Sequence, residues 1–275
     1  MNITKLKTEM LRAQAPYQPW IKFQTINYEE KIIKLNPLSL KANALFYQFT
    51  IPHDVSETGL IVADQCDKLI FKCDANYPSA HFIGANDQFV HYDFEPNTTY
   101  FVVEPYSNFG LIQMEATPRE LRSQFSLNDL LNVDELIIEI MMTDCFEERV
   151  TIFKDYYLKH LVNYDYSPGL EEFTASIIYS NRLDFSMADL STTVGYSKRY
   201  INMRFNSEYN MTPAKYARIA RFQDSLRALI EAPEEFNIAD LAYQYGYYDE
   251  SHLHKDYKSF TGFTPSKMKS FILNE

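Results

Sequence analysis

The sequence predicts an α+β chain of two domains, an N-terminal β-rich barrel or sandwich carrying a helical pair and an all-α C-terminal half. Three observations predict this. From Glu30 to Ala116, short runs of β-branched and aromatic residues alternate with Pro, Asn, Asp and Gly. From Thr117 the apolar period becomes helical. Near the C-terminus the chain repeats itself at an offset of 51–52 residues, as two tandem helix-turn-helix units would. A length of 275 residues with 46% hydrophobic content is enough for two cores.

In chain order, residues 1–28 hold Pro16, Pro19 and the single Trp20 and read as an irregular arm. Eight segments then read as strands: KIIKL, ALFYQFTI, GLIVAD, KLIFKCD, HFIG, QFVHYDF, TTYFVVE and GLIQMEA. Their aromatics (among them Phe46, Tyr47, Phe49, Phe71, Tyr92 and Phe101) would line the interior, either as a packed core or around one small ligand. Val133, Leu136, Ile137, Ile140 and Met141 form one helical stripe, and Val150, Phe153, Tyr157 and Leu161 another. These stripes are core or a homodimer surface through helices 133–161. NYDYSPG at 163–169 has no period and is the expected linker, which separates residues 1–162 from 170–275.

The net charge is -11. From Pro168 to Glu275, however, 12 Lys+Arg face 14 Asp+Glu, so most of the acidity belongs to the first part. Basic residues cluster instead around the repeat, as phosphate contact requires. Cys66, Cys73 and Cys145 are odd in number and have no CxxC spacing, which predicts a reduced, intracellular protein. No run approaches the ~18–20 apolar residues that span a bilayer. A cytoplasmic location without membrane attachment follows as the expectation.

Ala188-Asp189-Leu190 recurs as Ala239-Asp240-Leu241, Gly195 as Gly246, Phe205 as Tyr257 and Pro213 as Pro265. Asn210 stands where the second copy has Gly262, and asparagine tolerates the left-handed conformation better than most residues. A long helix from Pro213 to Glu231 joins the units. In the first recognition helix, opened by Ser197, Ile201 and Phe205 face inward and Arg199, Asn202, Met203 and Asn206 face outward. In the second, Leu253, Tyr257 and Phe260 face inward, with Ser251, His254, Lys255 and Lys258 outward. Arg can read guanine, Asn can read adenine, and Met can touch only apolar edges such as a thymine methyl. Arg199, Asn202, Met203, Ser251, His254 and Lys255 are the expected base readers. Lys198, Arg204, Arg218 and Lys258 are the expected phosphate contacts.

MADLSTTVGYSKRYINMRF, the following NMTPAKYARIARF, and IADLAYQYGYYDESHLHKDYKSFTGFTP resemble the DNA-binding domain of the AraC/XylS family of bacterial transcription regulators. Met203 stands where many relatives carry a base-reading Arg, and Asp249 and Glu250 place carboxylates at the start of the second recognition helix. DQCDKLIF and PRELRSQFSLNDLL resemble the cupin-like sensory domain of some members, over residues 36–132. The resemblance implies a transcription regulator, an activator in many relatives, with double-stranded DNA, RNA polymerase and a small-molecule effector as partners. It implies no catalytic role, no cofactor and no metal, and the residues of the effector site are not marked.

The alternative is a metal-dependent cupin-type enzyme with an attached helical domain. His81 and His91 lie in the strand region, but no HxH pair or matching Glu accompanies them. His252 and His254 are two apart on a helix and point away from each other. Cys66 and Cys73 read as buried spectators or a redox pair. No phosphate loop or Ser-His-Asp constellation is apparent.

Overall fold

The computed structural model describes residues 15–35, 43–54, 58–74, 76–105, 124–162, 169–232 and 237–273. The expected strand GLIQMEA lies outside them, as does the linker apart from Gly169. The N-terminal part comprises helix α1 (Pro19–Gln24), strands β1 (Ile26–Lys34), β2 (Asn43–Thr50), β3 (Thr58–Ile61), β4 (Lys68–Cys73), β5 (Ser79–Ile83), β6 (Val90–Asp93), β7 (Thr99–Pro105) and β8 (Gln124–Ser126), then helices α2 (Asp134–Met141) and α3 (Phe146–Tyr156). A π-helical turn, Tyr157–Leu161, continues α3.

Six strands form one antiparallel sheet in the order β1-β2-β7-β4-β5-β8, and β3 pairs with β6 in a second. The strand alternation is complete where both faces are covered. Tyr47, Phe49, Tyr100 and Val102 pack toward the β3–β6 side with Tyr92, Phe94 and Trp20. Ala44, Phe46, Phe71 and Phe101 pack on the opposite face against Leu136, Ile140, Val150 and Phe153. The aromatic set thus makes packed core on both faces, with ring centroids 4.4 Å apart at Tyr92–Phe94 and 5.6 Å at Phe46–Phe153. Phe89, half-buried, packs against its edge, and Tyr77 is exposed.

One expectation is revised. The arm is not irregular throughout: Pro19 opens a helix that buries Trp20 and Ile21. Of the two readings of the α2 and α3 stripes, core is the one the packing bears out, since Leu136, Ile140, Val150 and Phe153 press on the sheet.

The sheet encloses a charged group of side chains. Lys68 is 1% exposed and Glu104 fully buried. Lys68 Nζ donates to Asp64 Oδ2 at 2.5 Å and lies 3.4 Å from Glu104 Oε1, which also accepts from Tyr47 OH at 2.8 Å. Gln18 Nε2 in the arm donates to Asp64 Oδ2 at 2.6 Å. Two carboxylates therefore share one ammonium, and Glu104 Oε2 has no partner among the described residues. Burial, reinforced by Asp64 and opposed by Lys68, pushes Glu104 up to about 7. Burial also works against the charge of Lys68, but Asp64 and Glu104 outweigh it and raise its pKa.

The C-terminal part is helical: α4 (Leu170–Ser180), α5 (Met187–Val194), α6 (Lys198–Tyr209), α7 (Pro213–Glu231), α8 (Ile238–Gln244), α9 (Glu250–Thr261) and α10 (Pro265–Leu273). One apolar cluster runs from Trp20 and Leu60 through Phe222 and Leu226 to Phe260 and Ile272. At the junction Ala63 N donates to Phe260 O at 3.1 Å, and Gln223 Nε2 donates to Ala63 O at 2.7 Å. Gln65 Nε2 reaches Tyr216 O at 2.6 Å, and Gln24 Nε2 reaches Ile272 O at 2.7 Å.

Candidate nucleic-acid interface

The repeat in the sequence is a repeat of helix punctuation. Ser186 caps α5 by accepting from Asp189 N, and Asn237 caps α8 by accepting from Ala239 N. Gly195 ends α5 at φ 78°, and Gly246 follows α8 at φ 67°. Ser197 caps α6 through Tyr200 N, and Asp249 caps α9 through His252 N at 2.7 Å. Asn210 ends α6 at φ 55° and Gly262 ends α9 at φ 81°, which is the equivalence predicted for that pair. Thr212 then caps α7, whose first residue is Pro213, and Thr264 Oγ1 accepts from Lys267 N ahead of α10, which begins at Pro265.

The linking helix α7 fixes both recognition helices. Tyr216 packs edge-on against Phe205 at 5.4 Å and Tyr209 at 5.2 Å, and Ile201, Phe205 and Tyr209 are buried. On the other side, Phe222 meets Tyr257 at 5.1 Å and Phe260 at 5.0 Å. Arg218 Nη2 donates to Asp256 Oδ1 at 2.5 Å, and Arg221 Nη2 lies 3.7 Å from Asp256 Oδ2. Asp256 is fully buried, so these cations hold α9 against α7.

The predicted readers divide by what they touch. Arg199, Ser251 and Lys255 are exposed, and Met203 is 58% exposed. His254 is half-buried. Asn202 is half-buried too, and its Nδ2 donates at 2.8 Å to Lys198 O one turn back, so its amide is already engaged. Among the predicted phosphate contacts, Lys198 and Lys258 are exposed. Arg204 Nε donates to Glu171 Oε1 on α4 at 2.5 Å, and Arg218 holds Asp256. The periodicity placed these two arginines on outward positions but could not show that acids on neighbouring helices meet them. Lys215, counted in the basic cluster, stands 3.9 Å from Asp87 and over the Phe260 ring.

Four tyrosines were not singled out. Tyr196 and Tyr200 stack at 5.1 Å beside the start of α6, while Tyr243 and Tyr248 beside α9 are 89% and 92% exposed. Their signal lay in the turns GYSKRY and YQYGYYDE, where aromatic residues adjoin the glycine without an apolar period.

A second feature is a cleft of about 450 Å³ between the arm, β1 and α7. Tyr17, Tyr28 and Leu45 line it together with Lys22, Arg227 and Glu231. Tyr17 OH is buried and has no hydrogen-bond partner among the described residues. Arg227 lies 4.7 Å from the Tyr17 ring and donates through Nη2 to Ala15 O at 2.8 Å.

Among the described residues, no group of three or more His, Cys, Asp or Glu could hold a metal ion. His81 Nδ1 is 2.7 Å from Tyr92 OH, and the three cysteines are free. Burial pushes the Cys66 thiol well up and Cys73 to about 11, which keeps both protonated. No described helix is long and apolar enough to cross a membrane.

Residues 190–270 match the family model of a helix-turn-helix domain. Together with the paired punctuation, this defines the class: the C-terminal part carries a helix-turn-helix domain. By structure the chain is similar to ToxT from Vibrio cholerae, with 14% identity, 90% of this chain and 99% of that one covered, and a TM-score of 0.49. Wild-type ToxT from Vibrio cholerae with a bound unsaturated fatty acid gives 16%, 84%, 96% and 0.45. The C-terminal domain of AraT, a response regulator from Geobacillus stearothermophilus, gives 14%, 38%, 86% and 0.35. TM-scores this low carry no residue assignment. No curated protein matches the chain.

Proposed function

We propose that this chain is a sequence-specific, DNA-binding transcription regulator, divided into residues 1–162 and 170–275 and controlled by a small molecule. The carrying observation is the tandem unit itself: two capped recognition helices, α6 and α9, sit on one linking helix and turn Arg199, Met203 and Lys255 outward. Such helices enter successive major grooves about one turn apart. Arg199, Met203, Ser251 and Lys255 meet base edges, with Lys198 and Lys258 on phosphates. RNA polymerase is the further partner of such a protein, and the cytoplasm its place.

The effector site in this reading is the cleft beside Tyr17 rather than the sheet interior, which aromatic rings fill. Arg227 of α7 and Tyr17 of the arm both line it, so an occupant there acts on the helix that carries both recognition helices. It regulates only by binding the DNA-competent and incompetent states unequally. Footprinting of the full chain on its operator tests the DNA role: two protected segments about one helical turn apart are expected. One short segment overturns it. A thermal-shift screen on the full chain, followed by operator titration with each hit, tests the effector.

A further inference from the structure

The outer face of α2 and α3 is a groove rather than a solvated surface. It measures about 570 Å³ and is lined from both helices. Its floor includes Ile152 and Tyr156, each half-buried. On α2 the groove is lined by Glu135 and Glu139; beside them, outside the lining itself, Ile138 is 53% exposed and Met142, the residue that caps the helix, 76%. An unpaired stripe of this kind, left over after the inner stripes are spent on the sheet, is an incomplete interface.

Charge decides what completes it. Glu135 and Glu139 stand on one side, and Glu147, Glu148 and Asp155 on the other. Glu147 is bridged at 2.5 Å by Lys31, and Glu148 accepts from Thr143 at 2.5 Å. Lys159 and His160 close one end, the His160 ring lying tilted 4.5 Å from that of Tyr156. A second copy of this chain seated across a two-fold axis would oppose this acidic rim with its own, since such an interface uses the same patch twice. A cationic helix with one apolar stripe meets both requirements.

We propose that this groove docks a basic amphipathic helix of a partner protein. The apolar stripe covers Ile138, Met142 and Ile152, and flanking lysines or arginines meet Glu139 and Glu148. The span from Glu147 to Lys159 is ~18 Å along α3, so about twelve residues of partner helix fill it. The surface lies away from the recognition helices, on the sheet-bearing part of the chain, so one protein can hold DNA and this partner together.

The test uses the full chain and a fluorescent 18-residue helix of Leu, Ala and Lys with one leucine stripe, alongside the same helix with Glu for Lys. Anisotropy is expected to show saturable binding of the lysine helix only, weakening as salt rises. The double variant E139K/E148K reverses two rim charges and is expected to weaken binding about tenfold. Ile138→Ser, at an exposed position, is expected to weaken binding in salt as well, with an unchanged melting temperature. Three results overturn the proposal: equal binding of the glutamate helix, unchanged binding by the charge-reversed chain, or a dimer in sedimentation that Ile138→Ser disperses.

Discussion

Replacing Glu104 by Gln tests the account of the buried charges in the sheet. The amide keeps an oxygen for Tyr47 OH and removes the second carboxylate that shares Lys68. Its nitrogen replaces an oxygen that has no partner, a fixed cost of about 1–3 kcal/mol that does not vary with pH. The pH-dependent part has a definite sign. Glu104 titrates at about 7 in the folded chain against an ordinary 4.5, so between these values the folded state binds more protons than the unfolded one. Wild-type stability therefore falls as pH rises through that window, and the fall is complete above it. The gap corresponds to about 3 kcal/mol in all, most of it between pH 5 and 8. Gln has nothing to titrate. Urea unfolding followed through Trp20, buried and stacked on Phe94 at 5.6 Å, reports on this part of the chain. The stability of Glu104→Gln relative to wild type is expected to rise by about 2–3 kcal/mol from pH 5 to pH 8. Parallel pH profiles for the two proteins would refute the reasoning, whatever their absolute difference.

Arg199→Ala and Lys255→Ala are each expected to cost about 1–3 kcal/mol on the operator and to relax preference at one position, measured by titrating single-base operator variants. Lys258→Ala is expected to weaken all sequences alike and to reduce the slope of log affinity against log salt by about 1. Gly195 faces open space, so Gly195→Ala pays only for its backbone conformation, about 1 kcal/mol. Gly246→Ala would also bring a Cβ within 2.3 Å of Leu183 O, and calorimetry is expected to show a loss at least ~2 kcal/mol greater. Arg218→Met leaves Asp256 buried with only Arg221 at 3.7 Å, and a loss of about 3 kcal/mol is expected in thermal unfolding.

The C-terminal part was legible because its punctuation is local. Asn210 and Gly262 announce left-handed residues, and Thr-Pro announces the next helix, without reference to anything distant. The outward positions of Arg199, Met203 and Lys255 followed from helical period alone. What period could not supply was the third dimension. Glu171 lies 33 residues before Arg204 and Asp256 lies 38 after Arg218, and nothing in either stretch marks the pairing. The arm misled for a related reason. Two prolines and a tryptophan look like loop, yet Pro19 opens a helix turn that exists because Trp20 and Ile21 have a sheet to bury against. The strand β8 emerged from QFS, a segment too short for alternation to show, paired to β5 at Phe82↔Phe125.

The apolar cluster that runs from Trp20 to Ile272 makes the chain poor material for grafting. A regulator whose halves were beads on a string could exchange its head with another and keep reading the same operator. Here Phe260, on the helix that carries Lys255, gives its carbonyl to Ala63, and α10 rests on α1. A foreign head would leave that carbonyl and the flank of Ile272 uncovered. Inheritance should act on these halves as one unit, with changes around Ala63 matched by changes around Phe260.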